Sequence, residues 1–386
     1  MTLRGIFLKD MAYHKGRVML TILAIMALVM LILLIGSIMN GLRWQARRYP
    51  EFTGADLWVS GERSGGVFVG FSILNPEYVL PALRDEGLDR DSISPLIFAQ
   101  AQPIIHGKET KAIVVGYQIG KLGGPKEKDI ITGRLFTPGP KTYAPEAQLP
   151  PPEVVVDEAA GLEVGENVEL WGKQFRVVGK TRKLFFVFDI PLIFMDLSWA
   201  RSGIIKGAIY VNCYIAKVKP GYSPEEVAAR LDKNADVLEA VEVRTTDQTI
   251  RTILRNYVDS PMKGVQFLRI VLWIASGLIV LMITYVTTLE KTREIGILKA
   301  IGASNGYIIS MTMKQVLIMS GAGILLGISL ARLAVYGFPI FVLISWKEAG
   351  LAAAVTLAVC CGGGYWAARR VLFVDPMIAF RGELET

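Results

Sequence analysis

The run VMLTILAIMALVMLILLIGSIM, residues 18 to 39, contains no acidic or basic side chain. Wound as a helix rising ~1.5 Å per residue, it is long enough to cross the ~30 Å hydrocarbon core of a bilayer. It is also longer than the ~7–15-residue core of a secretory signal, and no convincing small-x-small cleavage site follows it. The run is therefore expected to remain as a membrane anchor.

Three further stretches are similar in length and nearly free of charge: Ile270 to Leu289, Gln315 to Ala331 and Ala349 to Ala368. With 52% apolar residues and a mean hydropathy of +0.41, the composition is that of a chain in contact with lipid. The net charge of +7 is spread along the chain and often flanks the apolar runs, which fits membrane orientation better than nucleic-acid binding. Cys213, Cys360 and Cys361 offer no disulfide framework, since the last two are adjacent and the first stands alone.

Basic residues in short flanks set orientation. Arg4, Lys9, Lys15 and Arg17 precede the first run; Lys291, Arg293, Lys299 and Lys314 lie between the second and third; Arg369, Arg370 and Arg381 follow the fourth. The loop after the third run carries only Arg332 and Lys347. These counts place both termini in the cytoplasm and the long segment after the first run outside it.

The expected layout is a membrane protein of four transmembrane helices with a large mixed α+β extracytoplasmic domain between helices 1 and 2. Its parts are a cytoplasmic segment 1–17, helix 1 with a stalk 18–44, the outer domain 45–265, helix 2 at 270–289, a cytoplasmic segment 290–314, helix 3 at 315–337, helix 4 at 349–368 and a cytoplasmic tail 369–386. In the outer domain the runs 56–59, 113–117, 153–156, 168–171, 175–178 and 209–218 are strand-like. The stretch SPEEVAARLDKN opens on Ser223, Pro224 and Glu226 as a capped helix. Residues 132–152, with six prolines, have the composition of a loop. Residues 247–266 keep helical spacing, with a kink expected at Pro261.

The segment after the second run carries the functional signal. In LEKTREIGILKAIGASNGYIISMTMKQVLIM, residues 289–319, Ile295, Ile297, Leu298 and Ile301 can share one side of a short helix, with Lys291, Arg293, Glu294 and Lys299 on the other. Gly302, Ala303, Ser304 and Gly306 then interrupt it. The run EKTREIGILKAIGAS resembles the signature after the second span of MacB-like and FtsX-like ABC permeases, the type VII family of macrolide exporters and lipoprotein-releasing permeases. The N-terminal LKDMAYHKGRVMLTILAI and the C-terminal ARRVLFVDPMIAFRGE, with Pro376, Ala379 and Arg381, resemble the same family. The outer domain does so only through EVVVDEAAGLEVGENVELWGKQFRVVGK.

That resemblance implies a permease subunit, itself no enzyme, which works with a separate ATPase carrying ATP and Mg, and no cofactor in this chain. It implies a homodimer, an ATPase-docking coupling helix formed by Lys291, Arg293, Glu294, Ile295, Gly296, Lys299, Ala300 and Gly302, and in some relatives a periplasmic adaptor. The expected action is export or extraction of an amphipathic substrate by mechanotransmission across the inner membrane. The alternatives are an FtsX-like relay to an extracytoplasmic enzyme and a membrane-anchored ligand sensor. The sensor lacks an output segment in the short cytoplasmic loops.

Other signals carry less. Gly179, Lys180 and Thr181 recur in phosphate loops, but the spacing from Gly172 is too long. His14 and His106 are too far apart in sequence context to form a metal site or triad. Cys360 and Cys361, followed by Gly362, Gly363 and Gly364, fit close helix packing. Arg332, near the end of a span, is expected to snorkel to the interface.

Overall fold

A computed structural model describes residues 15–62, 64–70, 72–140, 146–205, 209–235, 241–290, 303–337 and 341–372. The chain divides into a membrane unit, residues 1–41 with 262–386, and a sheet unit, residues 42–261. Helix α1 (Lys15–Thr53) runs from the first into the second.

Among the described residues of the sheet unit, thirteen strands form one sheet: eleven lie on a single hydrogen-bonded path, and the short strands β6 (Thr132–Gly133) and β10 (Phe185–Phe186) branch from it. β5 (Ala112–Tyr117) and β7 (Glu153–Asp157) are buried at every position, and β11 (Ile190–Asp196) at most. Such unbroken valine and isoleucine runs mark strands covered on both faces. β11 pairs parallel with β5 and antiparallel with β7, so these three form the centre. From β7 the path continues through β9 (Lys173–Thr181), to which it is parallel, and then β8 (Asn167–Leu170).

On the other side, β2 (Leu88–Ala101) joins two halves of the path. Its first part pairs with β12 (Cys213–Val218), up to Leu96 opposite Cys213, and its last part with β5, from Ile97 onward. Pro95 stands just before this changeover, where loss of one backbone donor is tolerated. β1 (Leu57–Gly61) lies between β12 and β13 (Val241–Thr245), antiparallel to both. One buried cluster, which includes Leu57, Ile97, Val114, Val156, Ile193 and Phe175, packs on one face of the strands, while the alternate positions Trp58, Phe98, Ile113, Val155 and Phe194 are buried as well.

Four helices cover or flank this sheet: α2 (Pro76–Ala82), α3 (Leu197–Ile204), α4 (Pro224–Ala235) and α5 (Thr246–Ile253). Thr245 starts α5 with a capping box to Gln248. At α4 the Ser223 hydroxyl donates to Glu225, 2.8 Å, rather than capping with Glu226, while the Ser223 carbonyl accepts the first helical bond from Val227. After α5 the chain makes a π-helical turn over 254–259, sealed by Ser260 N–H to the Arg255 carbonyl at 3.1 Å, and the helix breaks at Pro261. A π turn next to a proline is a standard cause of a change in helix direction.

Among the described residues, the membrane unit holds the first part of α1 and α6 (Lys263–Glu290), α7 (Asn305–Val335) and α8 (Trp346–Leu372). All four are long and apolar enough to cross a membrane. α7 begins at Asn305, well upstream of the uncharged run at Gln315, because Lys314 does not interrupt a helix capped by Ser304. The unit's buried cluster takes Ile25, Val29, Ile32 and Leu33 from α1, Val280 from α6, Val316 and Ile324 from α7, and Ala352 and Cys360 from α8.

Candidate functional site

The predicted coupling residues, Lys291 to Gly302, lie outside the described residues, and so does His14. What is described is the frame on which that segment hangs. α6 is described as far as Glu290, and α7 starts at the N-cap Ser304, whose hydroxyl accepts from Tyr307 N–H at 3.3 Å. An N-cap of this kind fixes where the chain re-enters the helix.

At that same end of the bundle three helices present polar side chains to one another. Thr21 of α1, Thr284 and Thr287 of α6, and Thr312 and Gln315 of α7 line a small cavity of about 20 Å³. Thr21 is fully buried and Thr284 nearly so. Val18, Ile283, Val316 and Met319 complete the lining, so these hydroxyls stand among apolar side chains, where they are costly unless bonded.

The opposite end is held by charge. Arg269 in the first turns of α6 and Glu348 in the first turn of α8 form an ion pair at 3.1 Å, with 13% and 23% of their side chains exposed. The guanidinium also lies over Trp273, 5.4 Å from the ring centroid. Gly36 of α1 faces this pair so closely that a methyl group there would meet Glu348 Oε2 at 2.7 Å. Nearby in sequence, Arg332 at the end of α7 sits 3.6 Å from the ring centroid of Trp346 at the start of α8. Arg332 thus meets an aromatic face at a helix end, where such rings gather at an interface.

Between these ends, glycines let the helices approach. A methyl at Gly323 would lie 2.8 Å from Ile25, and one at Gly327 would lie 2.8 Å from Val29, so this G-x-x-x-G pair forms the α7 face against α1. Gly363 of α8 faces the Gly277 carbonyl of α6 at 2.8 Å on the same measure, and Gly364 faces Val316 of α7 at 2.7 Å. The close packing expected of Gly362–Gly364 thus holds for Gly363 and Gly364, whereas Gly362 has nothing within 4 Å of where its methyl would stand. The G-x-x-x-G at 323–327 and the Arg269–Glu348 pair are contributions that the sequence reading missed. The first could have been found from its spacing, whereas the second links residues far apart in the chain.

In the sheet unit the charged clusters are braces. Arg134 grips Glu153 with two hydrogen bonds of 2.6 and 3.0 Å, and this, with the Thr137 amide and hydroxyl, holds the Glu153 carboxyl below the usual range against the opposing effect of burial. Asp157 is fully buried, and burial pushes its pKa up despite hydrogen bonds from Leu184, Ala159 and Thr181. Lys180 lies on strand β9 and pairs with Glu163 at 2.7 Å, so the sequence around Gly179 is a strand and not a phosphate loop. His106 faces Glu166 at 3.4 Å on an exposed turn. Cys213 is buried in β12, where burial pushes its thiol pKa up. Among the described residues no three His, Cys, Asp or Glu side chains gather as metal ligands.

Comparison with known proteins agrees with this arrangement. Residues 18–234 match the model of the MacB-like periplasmic core domain, and residues 267–376 match the FtsX-like permease C-terminal model. The chain is therefore a membrane protein that belongs to the MacB/FtsX family of ABC transporter permeases.

Among individual relatives, an uncharacterised ABC transporter permease of Mycobacterium tuberculosis is 24% identical over 381 residues, which span 97% of this chain and 98% of the relative. A second, from Mycobacterium bovis, is 22% identical over 378 residues. The macrolide export ATP-binding/permease protein MacB of Escherichia coli K12 is 23% identical over 239 residues, or 57% of this chain and 35% of that protein. The periplasmic region of MacB from Actinobacillus actinomycetemcomitans overlays 54% of the chain at 14% identity, with a TM-score of 0.35.

Proposed function

We propose that this permease works in the cytoplasmic membrane with both termini inside, as one of two copies driven by a separate ABC ATPase that carries ATP and Mg. It exports or extracts an amphipathic molecule from the outer side by mechanotransmission, and it needs no cofactor of its own. One observation supports this reading above others: the charged run EKTREIGILKAIGAS joins α6 to α7 at the end where Thr21, Thr284, Thr287, Thr312 and Gln315 converge. A push on that run would act on three helices that meet there around a small cavity lined by both polar and apolar side chains.

Within the run, Glu294 beside Arg293 offers a charge-assisted contact worth ~1.5–3 kcal/mol. Gly296 offers a close approach at a cost of ~1 kcal/mol in helix propensity. The test is co-purification of the ATPase with Glu294→Lys and with Gly296→Trp. Capture should weaken by more than about tenfold, one decade per ~1.4 kcal/mol, with expression unchanged. Unchanged capture and transport in both variants would reduce the segment to a charged helix flank. Reporter fusions after Ser304 and Arg370 should behave as cytoplasmic and one at Pro145 as external.

A further inference from the structure

A cavity of about 180 Å³ opens on the sheet unit where the end of α1, the loop after β5 and strand β12 meet. Lys121, Lys126, Lys128 and Lys217 line it against the single carboxylate of Asp129, a formal excess of three positive charges. Among the described residues, Lys126, Lys128 and Lys217 are exposed and form no ion pair, while Lys121 donates to the Asp91 carbonyl at 2.5 Å. Asp129 is itself engaged, accepting the Lys126 amide at 2.9 Å.

These cations stand on a braced scaffold. Lys121 N–H bonds the Gln118 carbonyl at 3.0 Å, and Leu122 N–H bonds the Ser94 hydroxyl at 3.1 Å. The hydroxyls of two buried tyrosines, Tyr49 and Tyr117, hold the carbonyls of Gly123 and Pro125 at 2.8 and 2.7 Å. On the facing side, the pairing of β12 with β2 shifts register between Ile215 and Lys217, and Lys217 N–H bonds the Ser92 hydroxyl at 2.7 Å. A bulge of this kind re-aims a side chain. Just after α1, Gly54 takes the left-handed region, φ +66, and the Lys217 stem passes 4.0 Å from where a methyl would stand.

Four ammonium groups lining one cavity repel each other, and the one carboxylate among them offsets only one of the four charges. Three come from the loop after β5 and one from β12, as point charges with no arginine fork to match a planar carboxylate, and so they suit a compact oxyanion carrying two or more charges. We propose that this cavity binds a phosphate group, either free as a small oligophosphate or presented as a lipid phosphomonoester. The site stands independently of the transport reading.

The test uses the full chain in phosphatidylcholine nanodiscs. One arm titrates inorganic pyrophosphate by calorimetry at low and high salt. The other measures co-flotation with phosphatidylcholine vesicles that carry or lack phosphatidic acid. The probe that binds names the source of the phosphate. The combined Lys126→Gln, Lys128→Gln and Lys217→Gln variant should bind it at least roughly tenfold more weakly, with an unchanged circular dichroism spectrum. Asp129→Asn should bind it more tightly, a gain that misfolding would not produce. Failure of both probes to bind, or equal affinity in wild type and the triple variant, overturns the proposal.

Discussion

Removing one partner of the Arg269–Glu348 pair should destabilise the membrane unit more than removing both. With 13% and 23% of the two side chains exposed, water screens the 3.1 Å contact only weakly. Stripping one charge from a buried pair leaves the other uncompensated, at a cost of ~3–5 kcal/mol when burial is complete. Partial exposure here lowers that to about 2–4 kcal/mol for Glu348→Gln or Arg269→Gln. The double variant should recover part of the loss, giving a coupling of about 1–3 kcal/mol. Gly36 supplies an internal check. Gly36→Ala would place a methyl 2.7 Å from Glu348 Oε2 and should cost about 1–3 kcal/mol by overpacking, with a smaller effect in a Glu348→Ala background. Denaturant titration of the reconstituted chain, followed through tryptophan emission, measures all four corners of each cycle. Additivity within ~0.5 kcal/mol would show that the pair does not hold α6 to α8 and would refute the reasoning.

Gly327→Leu should force α7 away from Val29 of α1 and lower the stability of the purified membrane unit by several kcal/mol, while Gly321→Leu, which faces open space, should cost little; equal losses would dismiss the G-x-x-x-G contact. Because Arg134 holds the Glu153 carboxyl low in the folded state, the stability from this pair is present above the ordinary glutamate value of ~4.3 and is lost as pH falls through the lowered folded value. Arg134→Met should therefore move the acid-unfolding midpoint of the sheet unit to higher pH, as read by near-ultraviolet circular dichroism, and an unmoved midpoint would count against it.

The four spans were legible because lipid demands long uncharged helices, and a single sequence shows that demand directly. Strands β5, β7, β8 and β9 were legible too, since their apolar runs are short and bounded by turn residues. β2 was hidden. Its first half, LDRDSIS, reads as polar, and Pro95 interrupts the run, yet the strand forms because it borrows partners from β12 on one stretch and β5 on the next. β11 was hidden for a related reason: Pro191 is its second residue and Asp196 closes it as the N-cap of α3, so a breaker and a helix starter stand at the two ends of a core strand.

Charge shows the same division between local and distant information. Basic flanks gave the orientation expectation because each is counted alone. The Arg269–Glu348 contact joins residues 79 positions apart, and neither residue is unusual at the start of a helix. The lysine cavity likewise depends on Lys217 being turned by a bulge toward a loop nearly a hundred residues earlier. In each case the function of a charged group is set by the partner that the fold brings to it. A lone basic flank anchors, a buried arginine facing a glutamate and a glycine locks two helices, and four lysines converging on a single carboxylate call for an anion. Local sequence patterns alone could reveal only the first of these three.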